Sequence, residues 1–320
     1  SRASPARDSF AEEPDSRFCT GVHLFFFFCF LEQLSKEKTT ALLATLAELE
    51  GAKGMVPAKL AAQAAGRCSW VASMIPRARP FVASLWGAIT DAKAAEPKSA
   101  ATRQRPKELL FVRRFSHPIA WLRTMVGTPD RLTRTFWLSQ RSPTTKWSVR
   151  TDASPFGMGG ILVDEQGATQ EYWADPLGDL DFTRFKATRG DPAFQAEWEL
   201  LAILVSLQIW SEKLRGRGVR VVVESDSTAA LAVALRLSSN RPLMNALAGE
   251  ISLILEGLSC GLLLGEHVPG VLNYIADALS RLSEGETIPS SLSQARRIEP
   301  PPRIASFYKA WPTDWTTASA

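Results

Sequence analysis

Cysteine is scarce in this sequence and histidine scarcer, with four and three residues in 320. Cys19, Cys29, Cys68 and Cys260 form no C-x-x-C pair and no zinc spacing. That excludes a disulfide scaffold and a thiolate–zinc module. The thiols read as free, which points to a reducing, intracellular compartment, cytoplasmic or nuclear. His23, His117 and His267 stand isolated, so a histidine-built metal site is not expected. Long apolar runs are missing too. The stretch Leu24–Leu31 has eight residues, and a membrane-spanning helix needs about 20. Its flanks, with Asp15 and Arg17 before it and Glu32 after, do not make a signal peptide. No membrane partner is expected. No Lys-Ser/Thr follows the Gly157-x-Gly159-Gly160 turn, so it is not a phosphate-cradling loop. Ser154 and Ser225 have no histidine near them in sequence, which argues against a serine hydrolase.

What is present is ordinary globular composition, 45% hydrophobic and 22% charged. At about 150 residues per domain, the chain holds about two. The net charge is +4, mildly basic and compatible with a polyanion partner. The distribution says more. Between Arg77 and Arg114 lie Arg79, Lys93, Lys98, Arg103, Arg105, Lys107 and Arg113, opposed only by Asp91, Glu96 and Glu108. Two readings stand side by side, a solvated linker and a nucleic-acid contact through Arg103, Arg105, Lys107, Arg113 and Arg114.

The texture along the chain divides it into five parts. Residues 1–35 are rich in Ser, Arg, Glu and Pro at the start and are expected to be poorly ordered. Residues 36–93 form a small all-helical region. Leu42, Leu43, Leu46 and Leu49 recur at helical spacing, then Leu60, Ala64 and Trp70, then Phe81, Leu85, Trp86 and Ile89. Residues 94–145 are a basic linker and connection. From 146 to 283 the pattern becomes that of an α/β domain, and 284–320 is a Ser/Pro-rich tail expected to be loosely ordered.

Within 146–283, Trp147–Asp152 alternates like a half-buried strand. Met158–Val163 and Thr169–Ala174 follow as hairpin partners, and 175–191 reads as an irregular loop. Pro192 opens a long helix, and Arg220–Glu224 is an apolar strand buried on both faces. Two helices, the strand Leu262–Val268 and a last helix over Ile275–Leu282 complete the order βββαβααβα. This predicts a five-stranded mixed sheet, three antiparallel strands then two parallel, flanked by helices.

That plan places four acidic residues at strand ends and adjacent helix starts, where open sheets build their sites. Asp152 ends the first strand, Glu199 lies in the first turns of the long helix, Asp226 follows the fourth strand and Asp277 begins the last helix. Carboxylates brought together repel and raise one another's pKa. Hard divalent ions relieve this, and Mg²⁺ prefers carboxylate oxygens and water. Two such ions roughly 3.5–4 Å apart activate a water and stabilise a leaving oxygen at phosphorus. Glu197 and Glu199 border opposite edges of the stripe Leu200, Ile203, Leu204 and Leu207, and helix geometry does not choose between them. Trp173, Trp198 and Trp210 read as core residues rather than base-stacking platforms.

These stretches resemble the ribonuclease H domain of retroelement reverse transcriptases. The matching residues are Thr151-Asp-Ala-Ser154 with Gly157, Gly159 and Gly160, then Glu199-Leu-Leu-Ala202, then Glu224-Ser-Asp-Ser227. The most specific is His267-x-Pro-Gly270 with Asn273 and Ala276-Asp-x-Leu-Ser-Arg281, which resembles long-terminal-repeat and tyrosine-recombinase elements. The resemblance implies a ribonuclease H-like fold with Asp152, Glu199, Asp226 and Asp277 as the catalytic, metal-binding residues. It selects Glu199 over Glu197, which is then expected as a surface charge. It further implies two Mg²⁺ ions, with Mn²⁺ as a substitute, and an RNA–DNA hybrid as the substrate. Cellular relatives carry a catalytic histidine in a loop before the last helix. His267 lies instead at a strand end and reads as structural.

Residues 36–93 are similar, more loosely, to the thumb and connection after a reverse-transcriptase palm, through Glu37-Lys38, Gly66-Arg67, Trp70, Ile75-Pro76 and Arg79-Pro80. No Tyr-x-Asp-Asp polymerase motif occurs, so no polymerase activity is expected and a palm and fingers partner is expected elsewhere. The chain begins with Ser1, which suggests a piece of a longer polyprotein or an imperfect gene model at that end. The rival expectation is a catalytically inactive nucleic-acid-binding or structural remnant of a truncated retroelement.

Overall fold

The computed structural model describes residues 20–25, 29–52, 54–94, 109–128, 133–137, 145–216, 218–258 and 262–310. Strands β1 (Thr20–Phe25) and β2 (Cys29–Leu34) pair antiparallel. A later strand, β5 (Thr133–Trp137), adds to β2. The expectation of disorder over 1–35 therefore does not hold for these strands. Residues 1–19 lie outside the described residues.

Helix α1 (Lys36–Gly51) starts at Ser35, whose hydroxyl accepts from the Lys38 amide at 3.4 Å. This supplies a partner for one of the free amides of the first turn. β3 (Met55–Pro57), α2 (Ala58–Met74), α3 (Arg79–Ala94), β4 (Leu109–Phe111) and α4 (Ser116–Val126) follow. β3 and β4 pair antiparallel, so a short strand pair accompanies the expected helices. Leu46 and Leu49, Ala61 and Ala64, Leu85, and Ile119 and Leu122 meet in one buried core. Trp86, expected inward, is instead partly exposed and donates to Ser69 Oγ at 2.9 Å.

The second core belongs to a mixed sheet. Its strands are β6 (Thr145–Ala153), β7 (Gly157–Val163), β8 (Thr169–Pro176), β9 (Val219–Ser225), β10 (Leu262–His267) and the short β11 (Arg296–Arg297). The order is β10-β9-β6-β7-β8-β11. β6, β7 and β8 run antiparallel, while β9 and β10 lie parallel beyond β6. This is the five-stranded arrangement expected for a ribonuclease H-like domain, with one edge strand added.

α5 (Asp179–Phe185) forms inside what reads as a loop, α6 (Gln195–Ile209) crosses the sheet, and α7 (Thr228–Arg236) and α8 (Pro242–Leu258) pack beside it. α9 (Tyr274–Ser280) lies on the opposite face, where Leu279 packs with Ile161 and Tyr172. Trp173, Trp198 and Trp210 are all buried, as expected.

The glycines of β7 bring helices close to the sheet. A Cβ at Gly157 would lie 2.6 Å from the Ser280 carbonyl oxygen, and one at Gly159 would overlap Leu279. On the other face, a Cβ at Gly160 would lie 2.6 Å from Trp173 Nε1. Bare backbone at Gly157 and Gly159 seats α9 directly on the strand.

The two cores are joined through α8. Asn245 Nδ2 donates to the Pro80 carbonyl at 2.8 Å and to Ser84 Oγ at 2.9 Å. The segment after 284 is packed rather than loose. Phe307 and Tyr308 enter the sheet core, and Ala310 enters the helical one. Arg303 is buried, with Nε and Nη2 donating to Asp181 at 2.9 and 2.8 Å and Nη1 paired to Asp175. Asp181 is 3% exposed, so its charge depends on this partner. Arg303→Met should therefore destabilise the protein by about 3–5 kcal/mol, because it strands a buried carboxylate. Urea denaturation checks this, and a loss under about 1 kcal/mol would show that the tail is not a structural clamp.

Candidate active site

Three of the expected acidic residues converge at one edge of the sheet. Asp152 comes from β6, Glu199 from the second turn of α6 and Asp226 from the residue after β9. Each offers an oxygen within 4.8 Å of the others. Among the described residues this is the one group of three or more acidic, His or Cys side chains close enough to hold an ion.

Asp152 is the buried centre. Its Oδ2 accepts from Ser280 Oγ at 2.6 Å, and its Oδ1 from Asn273 Nδ2 at 3.4 Å. Asn273 Nδ2 also donates to the Thr151 carbonyl at 3.1 Å, which ties the turn before α9 to β6. Burial pushes the Asp152 carboxyl up to about 7, and the charges of Asp226 and Asp277 push the same way, against the Ser280 hydrogen bond and Arg281.

Glu199 is 4% exposed. Gln195, one turn earlier, donates to its Oε1 at 2.9 Å, while its Oε2 is buried without a protein partner. Burial first, then Asp152 and Asp226, hold this carboxyl well above the usual range. Asp226 is the exposed member of the trio.

Asp277, expected as the fourth member, stands beside this group rather than in it. It lies in the first turn of α9, half exposed, and accepts from Arg281 Nε at 2.7 Å. Its charge nevertheless reaches Asp152.

Glu197 is not a surface charge. It is 2% exposed and pairs with Arg241 at 2.7 Å. Two residues along a helix turn it away from Glu199, and α7 and α8 cover the side that an amphipathic reading leaves to solvent. Glu224, one position before Ser225 in β9, is also buried, and it pairs with Arg150 of β6 at 2.6 Å. His267 is exposed at the end of β10. Of the five basic candidates, Arg113 and Arg114 are exposed, while Arg103, Arg105 and Lys107 lie outside the described residues.

Sequence reasoning missed Gln195 and the pairs Arg150–Glu224 and Arg281–Asp277. The signal for the last was present, since Asp277 and Arg281 are spaced i, i+4 on one helix.

The donors suit a hard divalent cation. All are carboxylate oxygens, one buried oxygen of Glu199 lacks a partner, and burial and mutual repulsion raise two of the carboxyls, a cost that a bound cation would relieve. A pH effect follows. In the unfolded chain Asp152 ionises near the ordinary aspartate value of 3.8, but in the folded metal-free protein only at about 7. A raised carboxyl pKa contributes stability at low pH that is lost as pH rises through the folded value. Between pH 5.5 and 8 this removes about 2 kcal/mol for Asp152 alone, with Glu199 adding in the same direction. Thermal melts in EDTA should show a lower Tm at pH 8 than at 5.5, and Mg²⁺ should close most of the gap. Equal melts with and without Mg²⁺ at pH 8 would contradict a cation at this site.

No family model matches the chain, and no curated protein matches it. Solved structures do show likenesses. One is an RNase H1 from the archaeon Halobacterium salinarum, at 16% identity over 44% of this chain and 99% of that one, TM-score 0.35. Another is LC11-RNase H1 in complex with an RNA/DNA hybrid, at 20% identity over 42% and 93%, TM-score 0.32. A third is a foamy viral protease-reverse transcriptase with double-stranded DNA, at 14% identity over 74% of this chain and 35% of that one, TM-score 0.27.

Proposed function

We propose that this chain is a metal-dependent endonuclease that cuts the RNA strand of RNA–DNA hybrids, as part of a retroelement reverse transcriptase. The observation that supports it most is the convergence of Asp152, Glu199 and Asp226 within 4.8 Å. Isolated strand-end acids would have no reason to meet from three separate elements. The last motif adds support. Asn273 and Ser280 hold Asp152, and Arg281 holds Asp277, so its polar residues act at one place.

In this reading Asp152, Glu199, Asp226 and Asp277 hold two Mg²⁺ ions, which Mn²⁺ can replace. The bound ions supply an activated water and charge stabilisation at phosphorus. The chain's own residues set the geometry for this. Ser280 and Asn273 fix both oxygens of Asp152. Gln195 fixes one oxygen of Glu199 and leaves the other free to ligate. Arg281 keeps Asp277 turned along α9. Helices α1 to α3, docked through α8, act as a thumb-like grip, with Arg113 and Arg114 on phosphates. The polymerase palm and fingers belong to a partner region.

A panel of end-labelled substrates tests the assignment. RNA paired to DNA should be cut in its RNA strand, while single-stranded RNA and duplex DNA of the same sequence should stay intact. A hybrid is recognised by shape and 2′-hydroxyls rather than sequence. Equal cutting of all three would replace this assignment by a general nuclease.

A further inference from the structure

Three of the four most exposed large apolar side chains among the described residues lie within four consecutive positions. They are Val271 at 84%, Leu272 at 60% and Tyr274 at 58%. Scattered exposed apolar side chains are ordinary, but a local group of them marks a contact surface.

These side chains are held out by a fixed backbone. The Val268 amide donates to the Ser225 carbonyl at 3.0 Å, Leu272 to Pro269 at 2.8 Å and Asn273 to Gly270 at 2.9 Å. Arg150 Nη1 reaches the Leu272 carbonyl at 3.4 Å. The group also borders the carboxylates. Asn273 sits inside it and donates to Asp152. Gly270 lies so near Asp226 that a Cβ there would be 3.4 Å from Oδ2.

We propose that Val271, Leu272 and Tyr274 form an apolar lip that packs on the sugar face of the nucleic-acid strand next to the phosphate at the carboxylates. This rests on the function proposed above. A strand with its phosphate at Asp152 and Asp226 has neighbouring sugars that must pass the 270–274 turn. The exposed carbon faces of those sugars suit an apolar partner. The wide, shallow minor groove of an A-form-like duplex brings them within reach of side chains. A neutral lip beside four acidic residues also adds no repulsion toward phosphate.

The test is the triple variant Val271→Ser, Leu272→Ser, Tyr274→Ser in the full chain, with steady-state cleavage of a labelled hybrid. KM should rise about tenfold or more while kcat stays within about threefold. The Mg²⁺ midpoint and Tm should not move, because the side chains are exposed and ligate nothing. Should the triple variant melt lower, Val271→Ser alone, the most exposed, should still raise KM. Tyr274→Phe should keep the parent KM. An unchanged KM in a folded triple variant would overturn the lip. So would a parent dimer, seen by sedimentation, that the variant loses while KM stays constant. If the parent cuts no hybrid, the proposed function fails, and anisotropy of labelled hybrid in Ca²⁺ still decides the lip. Weaker binding by the variant supports the lip, and equal binding overturns it.

Discussion

Asp152→Asn should abolish cleavage of the RNA strand, by at least about a thousandfold, which corresponds to about 4 kcal/mol of lost transition-state stabilisation. Asp152 is the member of the site coupled electrostatically to most of the others. Its charge acts on Glu199, and the charges of Asp226 and Asp277 act on it. Asparagine keeps the shape and one acceptor oxygen but removes the charge that would hold a cation. The fold should survive, and the metal-free variant should be more stable than the parent at pH 8. Two carboxylates 4 Å apart repel by about 1 kcal/mol in water and about 4 at an effective dielectric near 20. Single-turnover cleavage and melts in EDTA measure both effects. A variant that melts clearly below the parent in EDTA would contradict the repulsion argument. One that cuts within tenfold of the parent would remove Asp152 from the site.

Glu199→Gln should lower cleavage at least about a hundredfold, or about 2.7 kcal/mol. Its buried Oε2 has no protein partner and is the oxygen free to ligate. Glu197→Gln is the matched control. It should stay within a few-fold of the parent in cleavage, because Glu197 is turned away from the carboxylate group and toward Arg241. The two substitutions therefore separate the two faces of one helix. The reverse result would mean that the functional face of α6 is the one toward Arg241.

The sheet was legible because its strands alternate or run apolar at lengths that helices do not share. Asp152 and Asp226 were legible because topology puts strand ends at one edge, whereas Glu199 was legible only through the resemblance carried by Glu199-Leu-Leu-Ala202. The burial of Glu197 was not. α6 is covered by the sheet on one side and by α7 and α8 on the other, so residues 197–207 are buried all round. An amphipathic stripe has no meaning on such a helix. The tail was misread for another reason. Arg303, Phe307 and Tyr308 are single anchors in polar sequence, with no period to show which side is inward. α5 is only seven residues long, too short for periodicity to declare it. The strands β1 and β2 were hidden because β5, which completes their sheet, lies beyond the whole helical unit.

The most direct test of the central claim is hybrid cleavage titrated with Mg²⁺. An RNA strand labelled at one end and annealed to DNA is incubated with the full chain, in EDTA and over rising Mg²⁺, beside the Asp152→Asn variant. The account predicts no cutting in EDTA, internal cuts in the RNA strand that rise and saturate with Mg²⁺, and none from the variant. Cutting that persists in EDTA, or that Asp152→Asn leaves intact, would contradict it.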